Sequence, residues 1–346
     1  VISKSERHTG CDKLIPHLFD HKEYVLHYRN LKFLVSLGVE VVEVQEVLSF
    51  QQKAWLKPYI DFNTEKRKEA RNEFEKDFFK LMNNAVFGKT MENVKNRMQV
   101  HLTTDHDNAV KWFSKVNFKD SKYFDGLHMI EMYKTEIEYD KPVYAGTSIL
   151  DLSKLCMMDF HYNSIQKHFP RHYNLVYSDT DSMVYYIQHE DIYEWIKQNK
   201  QHFDLSDSAR ADMKDNTNKK GLGKFKDEMG SLLIKEFTAL NPKVYSIIHQ
   251  HEDENKVFHE NYNKKTCKGV SKVVVKKEIN HNDYQEVLNT NQSKDRTVTS
   301  IRSFDHQLYT YEQTKTALSS FYDKMQMVDA INCVPFGYAP IEDFSA

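Results

Sequence analysis

Asp179 and Asp181 sit one residue apart in Leu175–Ile187, LVYSDTDSMVYYI, between two runs of strand-forming side chains. Valine, tyrosine and isoleucine favour strands, and the Ser-Asp-Thr-Asp-Ser centre has the residue types of a turn. The stretch therefore predicts a β-hairpin with two carboxylates at its tip. If the backbone there is extended, alternation puts both on one face, where like charges repel unless a counter-charge arrives. A divalent cation is the natural one. An ordinary turn accounts for the same residue types, and on this stretch alone both readings stand.

A second group lies upstream. Lys80, Asn84 and Gly88 form K-x-x-x-N-x-x-x-G, with Phe87 before the glycine. On a helix, residues four apart share a face, so Lys80 and Asn84 project together with Lys76 one turn earlier. Such a lysine can neutralise a triphosphate, while the asparagine and the aromatic ring press on a base or sugar. The competing reading is an exposed amphipathic helix, its lysines paired with Glu69, Glu73 and Asp77. The Gly88-Lys89-Thr90 triplet is not a phosphate loop: Asn83 stands where a second glycine is needed, and a helix rather than a strand precedes it.

The elements that must position these residues are partly legible. Glu23–Leu37 has apolar residues at helical spacing and stops at Gly38. Val39–Phe50 alternates apolar and acidic residues and predicts a strand; Trp55-Leu56-Lys57-Pro58 then breaks the pattern. Thr64 is the expected N-cap of a long polar helix running through Val86. Residues 100–140 look irregular, and Ser148–Gln166 helical. A charged loop with Gly221 and Gly223 follows the hairpin, then strands at Val244–His249 and Val257–Asn261, a lysine-rich turn at 263–272, and a mixed region from Val273. Strands and helices interleave without a βαβ rhythm, which predicts an α+β fold.

Composition sets limits. The 346 residues are 40% hydrophobic and 28% charged, enough for a large core and ordinary for a globular protein. No apolar run approaches the ~20 residues of a membrane span, so no membrane partner is expected. Cys11, Cys156, Cys267 and Cys333 are far apart, which argues against a zinc site and suggests a reduced, intracellular setting of unread compartment. The chain opens on Val1, and no targeting segment is visible. Overall charge is near neutral, but it is unevenly spread. Thr64–Arg97 carries nine Lys/Arg against six acids, and Lys264–Lys277 carries six lysines and no acid. Patches of this kind suit phosphate contacts, and also describe solvated faces.

Taken together and in order, these motifs resemble family B DNA polymerases, above all the protein-primed branch of phages, adenoviruses, linear plasmids and Polinton-type elements. Lys80, Asn84, Phe87 and Gly88 match that family's fingers motif. Tyr177, Asp179, Thr180, Asp181 and Ser182 match its second acidic palm motif, about ninety residues on, and Lys243-Val244-Tyr245 matches its K-x-Y motif. The likeness runs from about Lys13 to about Leu288. It implies a right-hand polymerase: a palm segment at 1–55, fingers helices at 56–96, an insertion at 97–138, a palm with an antiparallel sheet bearing the acidic hairpin at 139–272, and thumb and tail at 273–346.

The same resemblance implies template-directed DNA synthesis by two-metal nucleotidyl transfer. Asp181 is expected to be the main Mg²⁺ ligand with Asp179 in support, and Mn²⁺ is a substitute ion. Lys80, Asn84, Phe87 and Gly88 would bind the dNTP, with Lys76 and Lys68 as further triphosphate lysines. Lys243, Tyr245, Lys224, Tyr177 and Thr180 would contact primer–template DNA, and a terminal protein primer is a further partner. Phe87 stands where the family usually has tyrosine. No aspartate here sits in the family's first acidic motif: Asp12, Asp20 and Asp61 have the wrong surroundings. Val1 is expected to fall after that motif, with the exonuclease region absent. A truncated or decayed mobile-element copy that binds DNA without catalysis therefore stays open. So does a reverse transcriptase, although Thr180 interrupts the adjacent aspartates of that class, and so does a structural protein.

Overall fold

The computed structural model describes residues 14–252, 257–304, 307–329 and 332–338; Cys11, Asp12 and Lys13 lie outside them. The chain divides into two compact units, Val25–Cys156 and the described residues of 1–24 and 157–346. The fold is α+β with antiparallel sheets, as the patterning predicts.

In the unit Val25–Cys156, helix α1 spans Tyr28–Ser36. It starts later than its apolar spacing suggests because His27 caps it, its ring nitrogen accepting from the Arg29 N–H. The His27 N–H itself donates to the buried Asp151 carboxylate at 2.7 Å. The stop is where expected: Leu37 ends the helix and Gly38 follows at φ +99°. Residues 39–50 form no strand, and Val42, Val47 and Leu48 are exposed. Alternation alone does not make a strand where no second strand among the described residues offers a ladder.

The single helix expected from Thr64 is two helices. Helix α2, Lys57–Glu69, carries Pro58 in its first turn, where the missing N–H costs nothing. Thr64 lies inside it and donates its hydroxyl to the Ile60 carbonyl at 2.7 Å. Helix α3, Glu73–Thr90, begins at Asn72, whose side chain accepts from the Glu75 N–H. That capping asparagine, in extended backbone, breaks the helix that charge patterning alone would continue.

Residues 100–140, irregular on their composition, lie for the most part in regular elements. Strands β1 (Met98–Thr103), β2 (Phe118–Phe124) and β3 (Leu127–Tyr133) form an antiparallel sheet in the order β1-β3-β2, with helix α4 (His106–Phe113) against it. Ala109, Ile130 and Met132 fill its core. Asp125 and Gly126, both at positive φ, turn β2 into β3. Helix α5, Val143–Asp159, continues in π-helical geometry through Phe160–Gln166. Gly146 lets α5 approach the end of α3, since a Cβ there would collide with Met91 and Thr90.

In the other unit, strands β4 (Tyr173–Asp179) and β5 (Ser182–Ile187) form the predicted acidic hairpin. Helix α6 (Ile192–Gln198) and the short parallel pair β6 (Phe203–Asp204) and β7 (Phe225–Lys226) follow. Phe160, Phe169, Trp195 and Phe203 are buried beneath, with Tyr173, Tyr185 and Ile187 of the hairpin packed on them. Strands β8 (Ile234–Asn241), β9 (Val244–Glu252) and β10 (Phe258–Cys267) make a second antiparallel sheet. The hairpin is a sheet of its own, hydrogen-bonded to none of these three, so the expected single sheet bearing it is two sheets. Lys264 and Lys265, read as part of a turn, belong to β10. Helices α7 (Lys272–Glu278) and α8 (His281–Thr290), the long hairpin β11 (Lys294–Phe304) with β12 (Gln307–Leu318), and the short pair β13 (Gln326–Met327) and β14 (Cys333–Val334) complete the fold. Tyr284, Val287 and Leu318 close a core with Leu240 and Val244.

Candidate functional site

The hairpin brings Asp179 and Asp181 to one tip by a tight reversal. Asp179 pairs with Ser182, which leaves Thr180 and Asp181 as the turn. Thr180 adopts φ +55°, and the Asp181 N–H donates to the Asp179 carbonyl at 2.6 Å. This is a γ-turn with a left-handed centre, a rare and strained conformation for a β-branched residue. Extended backbone ends at Asp179, so the period-2 argument for a shared face does not apply. The tight turn, not alternation, is what places both aspartates at the tip.

The counter-charge that the pair calls for is present within the protein. Lys243 Nζ lies 2.6 Å from Asp179 Oδ2, and Thr180 Oγ1 donates to Asp179 Oδ1 at 3.2 Å. The lysine amine holds the Asp179 carboxyl below the usual carboxylate range, and the carboxylate in turn raises Lys243. Asp181 is exposed, and its carboxylate takes no hydrogen bond from the described residues.

Lys243 is delivered by the turn between β8 and β9. Asn241 pairs with Val244, so Pro242 and Lys243 form the reversal, with Lys243 at φ +65°. Proline followed by a positive φ is the pattern of a type II turn, where glycine is the usual second residue. The turn is tied to the hairpin through its backbone as well: the Lys243 N–H donates to the Tyr177 hydroxyl at 2.8 Å. Burial raises the Tyr177 phenol, which keeps it a neutral acceptor. The rings of Tyr177, Tyr245 and Phe237 gather beside it, with centroids 5.3 to 5.8 Å apart. The Asn241 amide donates to the Ser319 carbonyl at 2.7 Å and fixes the turn from the other side.

Tyr177, Asp179, Thr180, Asp181, Lys243 and Tyr245, chosen from two motifs over sixty residues apart in the sequence, therefore form one cluster. Phe237 and Asn241 belong to it and carry no motif; the Asn-Pro step before Lys243 is the signal that marks the turn. Lys224 is separate in role: its amine bonds the Gln201 carbonyl at 2.5 Å in the turn-rich segment. The donor set suits Mg²⁺, which takes oxygen ligands from one or two carboxylates and completes its shell with phosphate and water. Among the described residues, no group of three or more His, Cys, Asp or Glu forms a ready-made metal cage.

The second group lies on α3, in the other unit. Lys80 and Asn84 are exposed on it, one turn apart, and neither side chain hydrogen-bonds to the described residues. The competing reading holds in part: lysines of these helices pair with their own acids, which leaves Lys80 without an ion pair among the described residues. Lys76 pairs with Glu73 at 2.7 Å, Lys68 with Glu65 at 2.9 Å and Lys66 with Glu69 at 3.0 Å. The opposite side of α3 meets α2, through Asn83 to Thr64 and Met82 to Tyr59. Gly88 is exposed, and a Cβ there would meet nothing within 4 Å. Packing within the protein gives no reason for a glycine in this helix, where it costs up to about 1 kcal/mol relative to alanine. A ligand passing close to the backbone would.

One comparison with known proteins covers the first part of the chain. Residues 9–167 match the family model described as DNA polymerase type B, organellar and viral. The match supports a family B DNA polymerase; it takes in α2 and α3 and ends before β4, so the acidic cluster stands on its own geometry. No curated protein and no solved structure gives a significant match. Among the described residues, no helix is long and apolar enough to cross a membrane.

Proposed function

We propose that this chain carries the polymerase region of a protein-primed family B DNA polymerase, adding dNTPs to a primer 3′-OH in DNA replication by two-metal nucleotidyl transfer. The observation that carries the reading is the meeting of two separate motifs, the Asp179–Asp181 turn and the Lys243–Tyr245 turn, at one exposed cluster. An ordinary hairpin turn has no need of a lysine and a tyrosine delivered from another sheet.

In this reading Asp181, open to solvent, and Asp179 would hold Mg²⁺, with Mn²⁺ as a substitute. When bound, the metal supplies charge neutralisation and activation of the attacking hydroxyl. The protein's own part is positioning and electrostatics. Lys80 lends positive charge to the triphosphate, and Asn84 and Phe87 shape the surface over which the base and sugar lie. Lys76 and Lys68 add to that field once released from their exposed glutamates, pairs of a kind that contribute little. Lys243 and Tyr245, with Tyr177 and Thr180 beside them, hold the primer strand through sequence-independent contacts, and Lys224 lies along the duplex. The right-hand arrangement of fingers, palm and thumb belongs to the same proposal, as does priming by a terminal protein.

Primer extension tests it. Asp181→Asn in the full-length protein removes a metal-holding charge at an exposed position, so synthesis should fall while primer–template binding persists. Wild-type extension by that variant would remove Asp181 from the mechanism. DNA binding with no extension by the wild-type protein would mark it as a non-catalytic copy.

A further inference from the structure

The pairing of Lys243 with Asp179 raises a conflict for the proposed site. Both oxygens of Asp179 are engaged, Oδ2 by the Lys243 amine at 2.6 Å and Oδ1 by the Thr180 hydroxyl at 3.2 Å. A divalent cation and an ammonium group at one carboxylate oxygen repel each other, so the two exchange there and do not coexist.

The structure is built to allow that exchange. The side chain of Lys243 is 53% exposed, so solvent ions reach the pair. Its backbone is held independently of the amine: the N–H bonds Tyr177, and the carbonyl accepts from the Lys268 N–H at 3.0 Å. Losing the ion pair therefore leaves the Lys243 Cα where it is, while the amine swings on a flexible four-carbon stem. Resting on the polymerase reading above, we propose that Lys243 is an exchangeable counter-ion. Its amine neutralises Asp179 until a divalent cation takes that carboxylate, and the freed amine then binds a phosphate of the primer strand. Cation binding and primer binding thereby reinforce one another, since whichever comes first removes the competitor of the other.

Mn²⁺ is the probe, followed by the loss of its free electron-paramagnetic signal. Lys243→Met should bind Mn²⁺ roughly three- to tenfold more tightly than wild type, because the competing charge is gone. Lys268→Met, which removes a charge that acts on Asp179 without touching it, should change the affinity less. In wild type, saturating Mn²⁺ should tighten primer–template binding severalfold, with the reciprocal effect of DNA on Mn²⁺; Lys243→Met should bring that coupling factor close to one. Lys243 acylation, read by mass spectrometry on the unmodified chain, should rise when Mn²⁺ is added without DNA. Unchanged Lys243 reactivity while Mn²⁺ is bound, or weaker Mn²⁺ binding by Lys243→Met, overturns the exchange and leaves the polymerase reading intact. If no protein binds Mn²⁺ even with primer–template and dNTP present, the metal site itself fails, and the exchange with it.

Discussion

Replacing Gly88 by alanine separates stability from function. Gly88 lies in the last turn of α3, exposed, with open space where a Cβ would stand. Alanine in a helix interior is favoured over glycine by up to about 1 kcal/mol, and less near a terminus, so about 0.5 kcal/mol is expected here. For a protein of this size that corresponds to a rise of roughly 0.7 °C in Tm. The same methyl group stands on the surface shared by Lys80, Asn84 and Phe87. If a nucleotide passes close to the backbone there, the variant should lose affinity for it even though the fold gains. We expect KM for dNTP to rise by roughly tenfold, equivalent to about 1.4 kcal/mol, with a smaller effect on kcat. Differential scanning fluorimetry and steady-state primer extension on the same preparation supply both numbers. A higher Tm with an unchanged KM would refute the placement of the nucleotide on this face. A lower Tm would refute the open space that the reasoning starts from.

Three further outcomes follow from the geometry. Thr180→Gly relieves a left-handed backbone that costs a β-branched residue on the order of 1–3 kcal/mol, offset in part by the freer unfolded chain. A net gain of about 0.5–1 kcal/mol in urea unfolding is expected, and a loss would contradict the strained turn. Glu92, pulled down to about 2 chiefly by the Arg97 hydrogen bonds and then by Lys89, has a folded pKa below its unfolded value of ~4.3. Its contribution is therefore complete above about pH 4.3 and disappears as pH falls toward 2. Thermal melts from pH 6 to 2.5 should show wild type losing stability more steeply than Glu92→Gln; parallel profiles would remove Glu92 from the account of acid sensitivity. Asp179 is held below its usual range by Lys243, so its contribution too is present above about pH 4 and lost below, and Lys243→Met should flatten that part of the profile.

What was legible was what local chemistry decides. Strand-forming runs around a polar centre located the acidic hairpin, and Gly38 located the end of α1. What was missed turned on competition between local signals or on partners distant in the chain. Asn72 outcompeted a continuous helical charge pattern, so Thr64, a reasonable cap in isolation, became an interior residue. Asp125-Gly126 is a strong hairpin signal, masked by the polar, exposed residues of β2 on one side of it. Val39–Phe50 shows the opposite failure, a strand pattern with no strand beside it among the described residues. Within the candidate site, the motif residues were readable one group at a time. Their meeting was not, because the Asp179–Lys243 contact joins two hairpins through side chains and leaves no periodic trace. The counter-charge was expected from a cation; the protein supplies one of its own.

The account stands or falls on the Asp179–Asp181 turn. The most direct test is single-nucleotide extension of a primer–template by full-length wild type and Asp181→Asn, with duplex affinity measured in parallel. The account predicts a loss of at least roughly a hundredfold in the rate of addition, with duplex affinity changed by no more than about twofold. Addition at the wild-type rate by Asp181→Asn would contradict it.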